Sequence, residues 1–114
     1  MPRSLAKLLF DVLDRSQAVR DATAGRTLDD YRRDRVLRSA VERELEVLGE
    51  AVRQAIRLDP TLEASIPDAK QVVAFRNWLA HAYADIDEEI VWAIVQHDVP
   101  KLERDVRALY ERLS

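Results

Sequence analysis

Residues 28–58 read LDDYRRDRVLRSAVERELEVLGEAVRQAIRL and contain no proline. Apolar residues recur in this stretch at three- and four-residue intervals, the spacing that places side chains on one face of an α-helix. They are Val36, Leu37, Ala40, Val41, Leu45, Leu48, Ala51, Val52, Ala55 and Ile56. The apolar arc is wide, so the stretch predicts one long helix that packs against more than one neighbour.

A glycine lies in the middle of this predicted helix. Glycine in a helix interior is less favourable than alanine by about 1 kcal/mol. Gly49 therefore indicates that a neighbouring helix or side chain comes close to the backbone there.

Helical periodicity also runs through the rest of the chain. It predicts a helix over residues 4–22, a third over 67–82, a short fourth over 90–95 and a last one that restarts at Asp98-Val99-Pro100. No alternating strand pattern competes with these helices. We expect an all-α protein, an up-and-down four-helix bundle with a short additional helix, in which residues 1–114 form a single domain.

The composition excludes several classes of protein. The 114 residues include no cysteine, which excludes disulfides, thiolate metal sites and cysteine nucleophiles. No apolar run approaches the roughly 20 residues that span a bilayer, and no signal-peptide core follows the first residues. We expect a cytoplasmic protein that makes no membrane contact.

The positive charge is unevenly distributed in a chain whose net charge is -3. Residues 26–43 hold six arginines and four acidic residues. Arginine suits bidentate contacts with phosphate. Mixed charge on a helix is also typical of a solvated face, so both interpretations stay open at this point.

The most unusual polar group lies in the third predicted helix, where residues 76–83 read RNWLAHAY. At about 100° per residue, Arg76, Ala80 and Tyr83 fall along one side, with Asn77 and His81 beside them. Large apolar residues occupy the opposite side and suffice to dock the helix into a core. The polar group therefore needs a separate explanation.

Side chains of these types have the chemistry needed to cleave RNA without a metal. A histidine exchanges protons near neutral pH, an arginine fork binds a phosphate, and an amide such as Asn77 orients a ring or a ligand. Cleavage needs a base for the 2′-hydroxyl and an acid for the leaving oxygen, but one chain supplies only one suitable histidine. Small residues at Ala80 and Ala84 leave room for a second copy, so we expect a homodimer that shares Arg76 and His81 across its interface.

Other interpretations of the same residues stay open. His81 is alternatively a hydrogen-bonded structural residue. The face is alternatively a polar dimer interface, in which Arg76 is buried against a carboxylate such as Glu50 and no solvent-accessible cleft is present. A third alternative is a non-catalytic helical module that binds a nucleotide or a nucleotidyltransferase. We expect no metal site, since the two histidines are not at i, i+4 spacing and no acidic triad is evident. The lack of a glycine-rich phosphate loop argues against an NTPase, and we expect no cofactor.

The spacing Arg76, four residues, His81, one residue, Tyr83 resembles the Arg-x4-His-x-Tyr signature of HepT-like proteins in the HEPN superfamily. Residues 40–51 resemble the family segment that ends in Ile-Gly-Glu-Ala, and the resemblance covers nearly the whole chain. One departure is that residues 68–75 lack the tryptophan–arginine pair that the family often has before the signature.

The resemblance implies a ribonuclease toxin of a type VII-like HepT/MntA toxin–antitoxin pair. It implies RNA as substrate, a homodimer, and Arg76 and His81 as catalytic residues. It also implies a partner, a minimal nucleotidyltransferase antitoxin of the MntA kind, which transfers AMP from ATP onto Tyr83. AMP on Tyr83, seven residues after Arg76, would place negative charge beside the arginine and silence the enzyme.

Overall fold

The computed structural model describes residues 4–82 and 85–113. Helix α1 spans Leu5–Thr23 and begins at Ser4, whose hydroxyl accepts the N–H of Lys7. Helices α2 (Leu28–Arg33) and α3 (Arg35–Leu58) follow, and a 3-10 turn (Pro60–Ala64) leads to the next helix. The remaining helices are α4 (Ala69–Ala82), α5 (Glu88–Ala93) and α6 (Val99–Leu113).

The prediction of one helix over residues 28–58 is wrong at one point, because the helix is interrupted at Asp34. The backbone of Asp34 is extended, and its carboxylate accepts the N–H of Leu37 at 2.9 Å, which caps α3. The Arg38 guanidinium donates to the last carbonyls of α2, those of Tyr31 and Arg32. Both new helix ends thus have hydrogen-bond partners.

The break turns α2 away from α3 and onto α5. Tyr31 of α2 is fully buried, and its ring lies 5.4 Å from that of Trp92, measured between centroids. Burying a large aromatic side chain stabilises this arrangement. The short additional helix of the bundle is therefore α2, and not the predicted one over residues 90–95, which joins the last helix.

The predicted restart at residues 98–100 is also wrong, because α5 and α6 are joined by a π-helical turn, Ile94–Asp98. The N–H of Val99 donates to the carbonyl of Ile94, five residues earlier. Pro100 has no N–H, and the wider turn gives its ring room inside the helix. Residues 88–113 thus form one continuous rod.

The bundle is built from α1, α3, α4 and the α5–α6 rod. Helix α3 packs against both α1 and α4, and α1 also packs against α6. The buried side chains of these helices form one cluster, which includes Leu9, Val12, Leu45, Leu48 and Val106. No strand occurs in the described part of the chain, so the predicted all-α bundle is confirmed.

Candidate functional site

The third predicted helix corresponds to α4, and its apolar side faces the core as expected. Val72, Phe75 and Leu79 are buried. Asn77 and His81 are exposed, whereas Arg76 is half-buried against α3. The helix thus places its arginine at an interhelical seam and its histidine toward solvent.

Arg76 reaches this seam because Gly49 has no side chain. A Cβ at position 49 would lie 2.4 Å from the Cβ of Arg76 and 2.8 Å from its Cγ. Atoms this close cannot coexist without movement of a helix backbone. The prediction that a neighbour approaches Gly49 is confirmed, and the neighbour is the stem of Arg76.

The guanidinium of Arg76 is only loosely held. Its Nη2 lies 3.5 Å from Oε1 of Glu50, and its Nη1 donates to Oδ1 of Asn77 at 3.0 Å. Its Nε is buried and has no hydrogen-bond partner in the described part of the chain. The arginine therefore keeps a donor that other polar groups of the site do not satisfy.

Glu50 is the centre of the polar cluster. Its two carboxylate oxygens each accept a hydrogen bond of 2.9 Å from Arg53, and one also accepts from Gln54 at 3.0 Å. The hydrogen bonds from Arg53 lower the pKa of Glu50 to about 2, against a smaller opposing effect of burial, with further lowering from Gln54 and Arg76. Glu50 is therefore ionised at neutral pH.

A cleft of about 170 Å³ opens beside this cluster, between α1 and α3. Its polar lining includes Asp11, Arg43, Glu46, Glu50 and Arg76. The interpretation as a polar dimer interface called for an arginine–carboxylate pair and no accessible cleft. The pair is present, but an accessible cleft is present as well. The structure thus meets only the first of the two requirements.

The described residues do not join Arg76 to His81. The two are five positions apart on α4, about 140° around the helix. No hydrogen bond or ion pair links the His81 ring to another residue in the ranges that the structure covers. Tyr83, the predicted modification site, and Ala84 lie outside the described residues.

The arginines of residues 26–43 are mostly engaged within the protein. Arg26, Arg32, Arg33 and Arg43 form ion pairs of 3.6 to 3.8 Å with nearby carboxylates. Arg38 caps α2. This pattern favours a solvated helix face over a phosphate-binding surface.

Sequence reasoning missed Arg53 and Gln54. Both follow Glu50 by one helical turn, at the i+3 and i+4 spacing of side chains that contact each other, which was the available signal. Among the described residues, no three His, Cys, Asp or Glu side chains form a group that could hold a metal. None of the helices described is both long enough and apolar enough to cross a bilayer.

Comparison with known proteins places these residues in a family context. The model of the family "Ribonuclease HepT-like" matches residues 12–109. Two proteins of Methanocaldococcus jannaschii named as candidate RNases are each 32% identical to the chain. One match covers 91% of the chain and 94% of that protein, and the other covers 100% and 94%. A "Probable ribonuclease HepT" of Thermococcus cleftensis is 29% identical over 90% of the chain and 93% of its own length. No solved structure matches the chain.

Gly49→Ala should destabilise the protein. Alanine gains about 1 kcal/mol in helix propensity, but its Cβ meets the backbone-fixed Cβ of Arg76. Overpacking at such a contact costs about 3 kcal/mol, so we expect a net loss of about 2 kcal/mol in the free energy of unfolding, measured by urea denaturation. The control is Ala40→Gly, at an exposed site on α3, which measures the alanine–glycine difference in helix propensity without the packing contact. A stabilised Gly49→Ala protein would contradict the contact.

The ion pairs of Glu50 should make stability depend on pH. Its pKa is about 2 in the folded protein against an ordinary 4.5, so its contribution is complete above about pH 4.5 and is lost as the pH falls toward 2. The difference in unfolding free energy between wild type and Glu50→Gln should therefore be largest at pH 7 and shrink below pH 4.5. Glu111→Gln, at an exposed site, should show no such trend. An unfolding free-energy difference that stays constant over this pH range would contradict the lowered pKa of Glu50.

Proposed function

Since the chain belongs to the ribonuclease HepT-like family, we propose that it cleaves RNA at a site formed by Arg76 and His81. The observation that carries the proposal is the state of Arg76. Its stem is packed against Gly49, its side chain is 29% exposed, and its Nη2 has only a weak 3.5 Å contact with Glu50. Such a group suits a phosphate, which offers several acceptor oxygens to the planar fork.

Arg76 would bind the scissile phosphate and stabilise the charge that builds up on it. The reaction begins when a base takes the proton of the 2′-hydroxyl. The 2′-oxygen then attacks phosphorus, the bond from phosphorus to the 5′-oxygen breaks, and an acid protonates that oxygen. The products are a 2′,3′-cyclic phosphate and a 5′-hydroxyl, and no metal is required.

His81 would supply the proton transfers. It is exposed at the last turn of α4, where RNA can reach it. Asn77 is also exposed, and its Oδ1 accepts a hydrogen bond from Nη1 of Arg76. Its side-chain N–H groups are therefore available to RNA.

A homodimer would complete the site. One protomer presents His81 about 140° around α4 from Arg76, which is a poor arrangement for both to act on one phosphodiester. A second copy related by a two-fold axis would add a second histidine, so one acts as base and the other as acid. Residues Val73 and Ala80, both half-buried and small or branched, would allow its close approach.

We also propose that the protein is a toxin controlled by a minimal nucleotidyltransferase antitoxin of the MntA kind. Transfer of AMP from ATP to the Tyr83 hydroxyl would release pyrophosphate and leave a phosphodiester on the tyrosine. The spacing of seven residues from Arg76 supports this, because the new negative charge would compete with RNA for the arginine.

His81→Ala and Arg76→Ala should each reduce RNA cleavage at least about 100-fold, by loss of proton transfer and of phosphate stabilisation respectively. The measurement is the initial rate on a labelled single-stranded RNA, with a chelator present. The matched controls are His97→Ala and Arg104→Ala, which change the same residue types at exposed positions on the α5–α6 rod. If His81→Ala cleaves as fast as wild type, the site is wrong. A wild type that binds a nucleotidyltransferase stably but cuts no RNA would instead favour the non-catalytic module.

Incubation with the nucleotidyltransferase and ATP should add one or more AMP units to the protein and abolish cleavage. The Tyr83→Phe variant, which lacks the acceptor hydroxyl, should gain no mass and remain active. Intact-mass spectrometry measures the addition, and Tyr110→Phe on α6 is the control that should still be modified. Equal modification of Tyr83→Phe would place the acceptor elsewhere.

A further inference from the structure

We infer that Glu50 and Arg53 are positioning residues for Arg76: Glu50 aims the Arg76 guanidinium, and Arg53 keeps Glu50 from neutralising it. The inference rests on the proposed function, because it assigns Arg76 to an RNA phosphate. Glu50 contacts Arg76 directly, and Arg53 acts on Arg76 through Glu50. Neither residue needs to touch RNA.

The distances in the cluster are unequal. Both contacts of Arg53 with Glu50 are 2.9 Å, as in a bidentate charge-assisted pair. The contact of Arg76 with Glu50 is 3.5 Å, longer than such a hydrogen bond. Glu50 is therefore bound mainly to Arg53, and it holds Arg76 only weakly.

The occupation of the Glu50 oxygens explains this inequality. Oε2 accepts from Arg53 and from Gln54, while Oε1 accepts from Arg53 and faces Arg76. A carboxylate offers about four acceptor positions, so Arg76 receives the one that remains. A phosphate with free oxygens can displace this weak contact at little cost in free energy.

The charges around the cleft support the same conclusion. Asp11 pairs with Lys7 at 3.0 Å and Glu46 pairs with Arg43 at 3.7 Å. Glu50 already has Arg53 as its own partner. Each of the three carboxylates that line the cleft thus has a basic partner other than Arg76, and Arg76 only shares Glu50 with Arg53.

A purely structural salt bridge between α3 and α4 is the competing explanation. In that case, removal of Glu50 or of Arg53 would loosen the same contact, and both changes would weaken the site in the same direction. A positioning role predicts opposite directions. Without Glu50, Arg76 binds phosphate more freely but is aimed less well, whereas without Arg53 the carboxylate is free to clamp Arg76.

The test measures binding of a labelled single-stranded RNA by fluorescence anisotropy in the His81→Ala background, which removes cleavage. Glu50→Gln should tighten binding about tenfold, the equivalent of one charge-assisted contact. Arg53→Gln should weaken it about tenfold. The matched control for loss of one positive charge is Arg57→Gln, one turn further along α3 at an exposed position.

The double variant separates an indirect effect of Arg53 from direct RNA contact. If Arg53 acts through Glu50, Arg53→Gln in the Glu50→Gln background should weaken binding no more than Arg57→Gln does. In the cleavage-competent protein, Glu50→Gln should lower KM and also lower kcat. A structural role would lower kcat without lowering KM.

Shifts in the same direction for Glu50→Gln and Arg53→Gln would overturn the inference, as would equal effects of Arg53→Gln and Arg57→Gln with Glu50 present. If Glu50→Gln fails to fold, as judged by circular dichroism, the comparison of Arg53→Gln with Arg57→Gln decides alone. Opposite shifts in RNA binding by a wild type that cuts no RNA would support the positioning roles and reject the nuclease. Absence of RNA binding by the His81→Ala parent would overturn the positioning roles, and absence of cleavage by the wild type as well would overturn both proposals.

Discussion

The approach of α4 to α3 at Gly49 is the contact on which the candidate site depends. The stem of Arg76 occupies the space where any other residue at position 49 would place a Cβ. This fixes the origin of the guanidinium, and one turn of α3 then supplies Glu50, Arg53 and Gln54 around it. Because the stem is fixed by packing, only the end of the side chain remains free to exchange one polar partner for another.

Periodicity predicts the core of this protein well, because burial of apolar faces decides most of the helices. It fails where two local structures are close in free energy. Residues 28–58 contain no proline, and the local N-cap that Asp34 offers does not by itself decide between a break and a continuous helix. The choice depends on Tyr31 and Trp92, which meet only after α5 has docked.

The candidate site was predictable to different degrees in its different parts. The residue types and the angle between Arg76 and His81 follow from sequence and helix geometry, and Gly49 signalled a close neighbour. The identity of that neighbour did not follow, because it requires the register of α4 on α3. Arg53 and Gln54 were missed for a related reason. Their spacing from Glu50 occurs on many solvated helices, and it acquires meaning only when a third cation lies beside the same carboxylate.

The net charge of -3 does not conflict with a polyanionic ligand, because exposed charges act over about 10 Å at ordinary ionic strength. Over that range the local balance matters more than the total. The carboxylates of the cleft each have a basic partner other than Arg76, and Arg76 shares the carboxylate of Glu50 with Arg53. The sharing of Glu50 also determines how ordered and how available the Arg76 guanidinium is. A fully exposed arginine would be hydrated and mobile, and an arginine bound tightly to its own carboxylate would be unavailable to RNA. A carboxylate shared with a second arginine leaves the Arg76 guanidinium ordered but still able to exchange Glu50 for a phosphate.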